Sequence, residues 1–238
     1  MLTRDRPAMA ARAVQSFRNQ TYANKRLLIY DNGIQQEWLR TSRLDHEPNE
    51  VHFRCFWNAH RGALTTGTLR NEANGHSDDM PHDPEVLIHW DDDDVSHPNR
   101  ISEQVALLQA SGADAVGYNE VLFCDTTRSG MHQPPDRHDA WLYRAPKMSP
   151  AIGSSLCYWR KTWEAKPFPD RMRGEDYWWM KGLNVMGVSS MADEPRLVCS
   201  IHAGNAANYP LENLVRGGSL EWKRAPEWDA FARERMKL

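Results

Sequence analysis

The 238 residues carry 29 Lys plus Arg against 32 Asp plus Glu, a formal net charge of −3, which removes the bulk electrostatic case for nucleic-acid binding. No unbroken hydrophobic run exceeds four residues, whereas a membrane-spanning helix needs roughly 20, and the N-terminus lacks the apolar core of a secretion signal. The expectation is one soluble, cytoplasmic α/β domain. Cys55, Cys124, Cys157 and Cys199 are scattered without a Cys-x-x-Cys pair, which argues against structural zinc and a disulfide framework and for buried free thiols.

Pro7 to Gln20 reads as a helix, with proline at its start and Ala10, Val14 and Phe17 on one face. Arg26 to Tyr30 is a short apolar strand closed by the turn Asp31-Asn32-Gly33. Val51, Phe53 and Cys55 alternate as in a strand, and Leu64 to Asn74 reads as a helix. Glu72 to Pro84 is polar and reads as an exposed loop; its His76, Asp78, Asp79, His82 and Asp83 are spaced too irregularly for a metal site. Val86-Leu87-Ile88 is a compact strand running into Trp90 and four aspartates, and Pro98 to Leu108 reads as a helix with Ile101, Val105 and Leu108 on one face.

This alternation predicts a Rossmann-like, mostly parallel central sheet with helices on both faces. Ligands of such sheets bind beyond the carboxyl ends of the strands, where Asp31 and the Asp91–Asp94 run both fall. The second half is less regular. Ala151 to Trp159 reads as a strand, Glu175 to Leu183 as a helix, Leu197 to Ile201 as a strand ending at His202, and the tail from Ser219 as a peripheral helix. Most of Trp141, Tyr143, Trp159 and Trp163 read as core residues. No linker is visible, so residues 1–238 are expected to form a single domain.

The strongest chemical signal is Ile88-His89-Trp90-Asp91-Asp92-Asp93-Asp94. Four adjacent carboxylates repel one another, and a divalent cation makes the crowding tolerable. Alternate residues Asp91 and Asp93 can point the same way, one holding a hard ion such as Mg²⁺ or Mn²⁺ and the other water or a ribose hydroxyl. The competing reading is an acidic turn that caps the helix starting near Pro98.

These residues resemble a family 2 glycosyltransferase of the GT-A fold. The resemblance rests on Arg4-Asp5-Arg6-Pro7, Ser16, Asn19-Gln20-Thr21-Tyr22, Ile29-Tyr30-Asp31-Asn32-Gly33, Arg70-Asn71, the Trp90–Val95 run with its Asp-x-Asp, Pro98, Arg100, Ile101, Gln104, and Gly174-Glu175-Asp176. Their order and spacing span roughly residues 3 to 205. The family opens with a full apolar strand, but only Met1 and Leu2 precede Thr3 here. A stub strand, or a start lying upstream, is therefore expected.

The resemblance implies a nucleotide-sugar-binding half (1–120) and an acceptor-binding half (121–238) within that single domain, and roles position by position. Asp31 would accept a hydrogen bond from the nucleotide base, with Thr3, Arg6 and Arg70 also at the donor. Asp93 would coordinate the metal, Mn²⁺ or Mg²⁺, and His202 would be a further ligand. Asp91 and Asp92 would contact the ribose or the metal's water shell. Asp176, with Glu175 beside it, would be the general base, and Trp178 and Trp179 follow on the acceptor side.

The implied reaction is inverting transfer from a UDP-sugar to a hydroxyl acceptor, in which a metal stabilises the diphosphate and one carboxylate deprotonates the acceptor. Glycan, lipid-linked, protein and DNA acceptors stay open. The rival readings are a catalytically degenerate fold that binds a glycan or partner, a two-metal phosphoesterase, and a nucleotidyltransferase, whose glycine-rich basic loop is missing.

Overall fold

The computed structural model describes residues 1–33, 51–55 (backbone path only), 64–76, 83–126, 139–202 and 221–237. Near the N-terminus, β1 (Leu2–Thr3), β2 (Leu27–Asp31) and β3 (Val51–Cys55) form a parallel three-stranded sheet in that order. The first strand covers two residues, pairing Leu2 with Tyr30 and Thr3 with Asp31. Between β1 and β2 runs α1 (Pro7–Arg18), opened by its proline and burying Ala10, Ala13, Val14 and Phe17.

The second sheet has eight strands: β4 (Val86–Ile88), β5 (Val95–Ser96), β6 (Ala115–Asp125), β7 (Asp139–Arg144), β8 (Cys157–Trp159), β9 (Val185–Ser189), β10 (Leu197–Ile201) and β11 (Trp222–Arg224). Here the expectation of a mostly parallel sheet needs correction. The β6/β9 and β6/β10 pairs are parallel, but β4/β8, β5/β10, β6/β7, β6/β8 and β7/β11 are antiparallel. Parallel neighbours need long crossovers, usually helical, and the second half has few helices to offer. Both α4 (Arg160–Ala165) and α5 (Glu175–Met180) have only six residues.

Helices do cover both faces. Successive residues of a strand point to opposite sides, so Val116 of β6 packs with Val14 and Phe17 of α1 and with Ile101, Val105 and Leu108 of α3 (Arg100–Ser111). Its neighbour Ala115 packs with Trp179 and Met180 of α5 on the other side. At the far end of β6, Leu122 and Cys124 meet Ala232 and Met236 of α6 (Asp229–Met236).

The predicted 151–159 strand is shorter. A 3₁₀ turn occupies Gly153–Ser155, where Ser155 Oγ bonds the backbone of Tyr118 and Ile152, and only Cys157–Trp159 joins the sheet. The helix at Glu175 stops at Met180, ahead of Gly182 at φ +80°. The tail forms β11 before its helix. Of the polar stretch 72–84, residues through Gly75 belong to α2 (Thr66–Gly75), Asp83 pairs with Arg160, and 77–82 lie outside the described residues. Cys124, Cys157 and Cys199 are buried free thiols, as expected. No helix among the described residues is long and apolar enough to cross a membrane.

Candidate active site

The aspartate run leaves the end of β4 on a fixed base. Trp90 is buried and donates its indole N–H to Ala13 O at 3.0 Å. Under it lies Arg100, 1% exposed, its guanidinium 5.1 Å from the Trp90 ring. Arg100 donates to His89 O (3.0 Å), Ser154 O (2.9 Å), Ser96 Oγ (3.0 Å) and Gln104 Oε1 (3.1 Å). One planar cation thus ties the strand carrying the acids to the 3₁₀ turn and to α3.

From this base the four carboxylates divide. Asp91, Asp93 and Asp94 each present an oxygen, and these three oxygens lie within 4.8 Å of one another. Asp92 turns the other way, accepting from Thr3 Oγ1 at 2.7 Å and facing an Arg6 guanidinium nitrogen at 2.8 Å. Burial pushes the Asp92 carboxyl up to about 7, against the pull of Arg6. Asp93 Oδ2 receives the other Arg6 nitrogen at 3.2 Å and lies 2.9 Å from His202 Nε2. Asp94 accepts the Ser200 N–H at 3.1 Å; burial, then the charge of Asp93, hold its carboxyl well above the usual range.

The donor set is all carboxylate oxygen, which suits a hard divalent ion. Such an ion, at roughly 2.1 Å from each oxygen, separates opposite ligands by about 4.2 Å. The three acids fit that size.

The acidic pair opens α5 directly after Gly174, which takes φ +68°. Glu175 is buried, and its Oε1 accepts from Arg70 Nε at 3.1 Å. Burial pushes the Glu175 carboxyl up, and Arg70 pulls against it. Arg70 projects from α2, with a second nitrogen 3.8 Å from Asp91 Oδ1, so it bridges the two acidic motifs. Asp176 is half-buried. Its Oδ1 accepts the Tyr177 N–H at 2.8 Å, and its Oδ2 rests on Gly153, where an added Cβ would lie 1.8 Å away.

Beside these groups opens a cavity of about 730 Å³. Thr3, Arg4, Arg6 and Asn32 line one side, Asp91–Asp94, Arg70 and Ser154 line the floor, and Phe123, Tyr143 and Trp222 form an aromatic wall. Those three rings pack on one another with centroids 4.5–5.8 Å apart.

Thr3, Arg6, Arg70, Asp91, Asp92 and Asp93 therefore share one cavity, with His202 against Asp93. Asp31 does not line it. The residue is fully buried at the end of β2, and its Oδ1 accepts the Gly33 N–H at 2.7 Å, a turn-forming contact. The expected acceptor role of Trp179 also needs correction: it is fully buried between Tyr158 and Phe168 and donates its indole N–H to Lys166 O. Trp178, one residue earlier, points outward and is 42% exposed. Sequence reading missed Asp94 as a partner of Asp91 and Asp93, Gly153 as the seat of Asp176, and the aromatic wall. Of the four aromatics read as mostly core, Tyr143 lines the cavity.

The same architecture recurs in solved glycosyltransferases of the GT-A fold. Mannosyltransferase PcManGT from Pyrobaculum calidifontis, in complex with GDP-Man and Mn²⁺, aligns with a TM-score of 0.60 at 13% identity, covering 99% of this chain and 67% of that one. S. aureus TarS 1-349 aligns with a TM-score of 0.57 at 12% identity, covering 84% of this chain, and its complex with UDP with a TM-score of 0.58 at 12% identity, also covering 84%. The chain spans only 58% and 59% of those two TarS chains. No curated protein matches. The sequence model described as Glycosyl transferase family 2 matches residues 1–164. The chain belongs to glycosyl transferase family 2 and has the GT-A fold.

Proposed function

We propose that the protein performs metal-dependent, inverting transfer of a sugar from a UDP-sugar to a hydroxyl acceptor. The observation that carries this reading is the convergence of Asp91, Asp93 and Asp94 in a large cavity, with Asp176, itself outside the lining, resting on Gly153 beside the lining residue Ser154. Support for the donor class comes from the complexes of TarS with UDP and UDP-GlcNAc and of PcManGT with GDP-Man and Mn²⁺; UDP is preferred on the family resemblance.

In this reading Asp91, Asp93 and Asp94 hold Mn²⁺ or Mg²⁺. The bound ion supplies Lewis-acid stabilisation of the diphosphate leaving group. Arg6 and His202 fix the Asp93 carboxylate, while Thr3 and Arg6 fix Asp92. Arg4 and Asn32, with Thr3, face the nucleotide. Asp31 reaches the base only if its carboxylate leaves the Gly33 turn. Phe123, Tyr143 and Trp222 offer an apolar wall against which a sugar ring can pack. Asp176 takes the acceptor's proton, and Glu175, spent on Arg70, orients the helix start.

The test is a thermal-shift series with UDP, GDP, CDP and dTDP, each with and without Mn²⁺. A nucleotide at about 100 times its dissociation constant adds roughly 2.7 kcal/mol of stability. The native chain is expected to show a Mn²⁺-dependent shift with UDP, and Asp93→Ala to lose it. A shift that ignores Mn²⁺ overturns the metal assignment, and the absence of any shift favours a degenerate binding module.

A second variant probes the base. In Gly153→Ala the new methyl must displace the Asp176 carboxylate, which an added Cβ would meet at 1.8 Å. Misplacing a catalytic group by about 1 Å costs on the order of 10² in rate. Transfer is expected to fall by that factor while the UDP-induced thermal shift persists; unchanged turnover would remove Asp176 from the reaction.

A further inference from the structure

The segment before α5 is pinned to the cavity rim by its backbone. Gly67 N donates to Arg171 O at 3.1 Å, and Thr66 Oγ1 donates to Met172 O at 3.0 Å. Thr65 and Thr68 both donate to Asp170, which engages that carboxylate. Met172 lines the cavity, and Arg171 and Arg173 stand exposed on either side of it.

Beyond them, Trp178 is 42% exposed, with the Arg171 guanidinium 4.8 Å and the Lys181 ammonium 4.2 Å from its ring. Among the described residues, none of Arg171, Arg173 and Lys181 has a carboxylate partner. Two exposed cations, Arg171 and Lys181, meet at one indole and repel one another, and the ring's quadrupole offsets only part of that repulsion. The arrangement is complementary to an anion.

We propose that this platform binds the acceptor, and that the acceptor is a carbohydrate or polyol chain bearing carboxylate or phosphate groups beside the reacting hydroxyl. This rests on the transferase reading above. Guanidinium forks suit both anions. Trp178 follows Asp176 by two positions on the same helix, and Arg171 and Lys181 lie five positions to either side of Asp176, so a chain seated on the platform can present a hydroxyl to the base while its negative groups meet the cations. The chain's net charge of −3 and an indole already engaged by two cations favour a glycan over nucleic acid.

The experiment measures binding of four probes to the full chain at low and moderate salt. They are a hyaluronan hexasaccharide, a glycerol-phosphate hexamer, neutral chitohexaose and dT12. At least one anionic chain is expected to bind more tightly than chitohexaose, with affinity falling as salt rises. Arg171→Gln with Lys181→Gln is expected to weaken that binding by roughly tenfold and to leave chitohexaose unchanged. Equal binding of neutral and anionic chains, an unaffected double variant, tighter binding of dT12, or no binding at all would each overturn the proposal.

The UDP-induced thermal shift is recorded on the same samples and should persist in the double variant. Its absence from the native chain would count against the transferase reading alone, because it does not involve the platform.

Discussion

Asp176→Asn is expected to lower the transfer rate by about 10³- to 10⁴-fold while leaving donor binding intact, near the upper end of what a general base contributes. The substitution preserves shape. An asparagine still accepts the Tyr177 N–H and still fits against Gly153, so the loss isolates proton acceptance. Glu175 cannot stand in: it is buried and its oxygen is committed to Arg70. Steady-state kinetics with a UDP-sugar, alongside UDP thermal shifts, separate the two effects. Turnover within about tenfold of the native rate would mean that another group takes the proton.

The largest effect on stability is expected at Arg100. Its four hydrogen bonds end on two main-chain carbonyls, a hydroxyl and an amide, with no carboxylate partner among the described residues. Arg100→Ala would leave the carbonyls of His89 and Ser154 unsatisfied in a buried place and open a void beneath Trp90. Together these cost about 3–5 kcal/mol. At roughly 2–4 °C per kcal/mol for a chain of this size, the melting temperature should drop by about 10 °C. Arg100→Lys keeps the charge but cannot span four acceptors, and should recover only a minor part. A melting temperature within about 2 °C of the native value would show that the network contributes little.

Much of the first half was legible because its signals are local. The proline of α1, the 3.6-residue faces of α1 and α3, and the apolar triplet of β4 all sit where the pattern places them. The acids could be read as a group, since a charge run behind a buried strand asks for compensation. Which of them converge could not be read. Asp92 is drawn away by Thr3 and Arg6, residues 89 and 86 positions distant in sequence, and Asp94 is drawn inward by Ser200.

The second half was less legible. Strand β6 carries Gly117, Asn119 and Glu120 at its middle, which hides eleven residues of strand from any alternation rule. Glu120 is accommodated there by Arg144 and Ser189, both from other strands. The split between Trp178 and Trp179 follows from helix geometry, but its direction depended on Tyr158 and Phe168 lying on the inner side.

That same strand has a wider consequence. Each of the four buried clusters takes a residue from it: Val116 in one, Ala115 in another, Leu122 and Cys124 in a third, Tyr118 and Val121 in the last. Between Tyr118 and Glu120 its register with β9 slips, which lets it change neighbours without ending. Strand β6 is thus a keystone. Loosening any one cluster withdraws support from the other three, so the two faces of the sheet are expected to melt together, and neither can be softened without drawing on the stability of both.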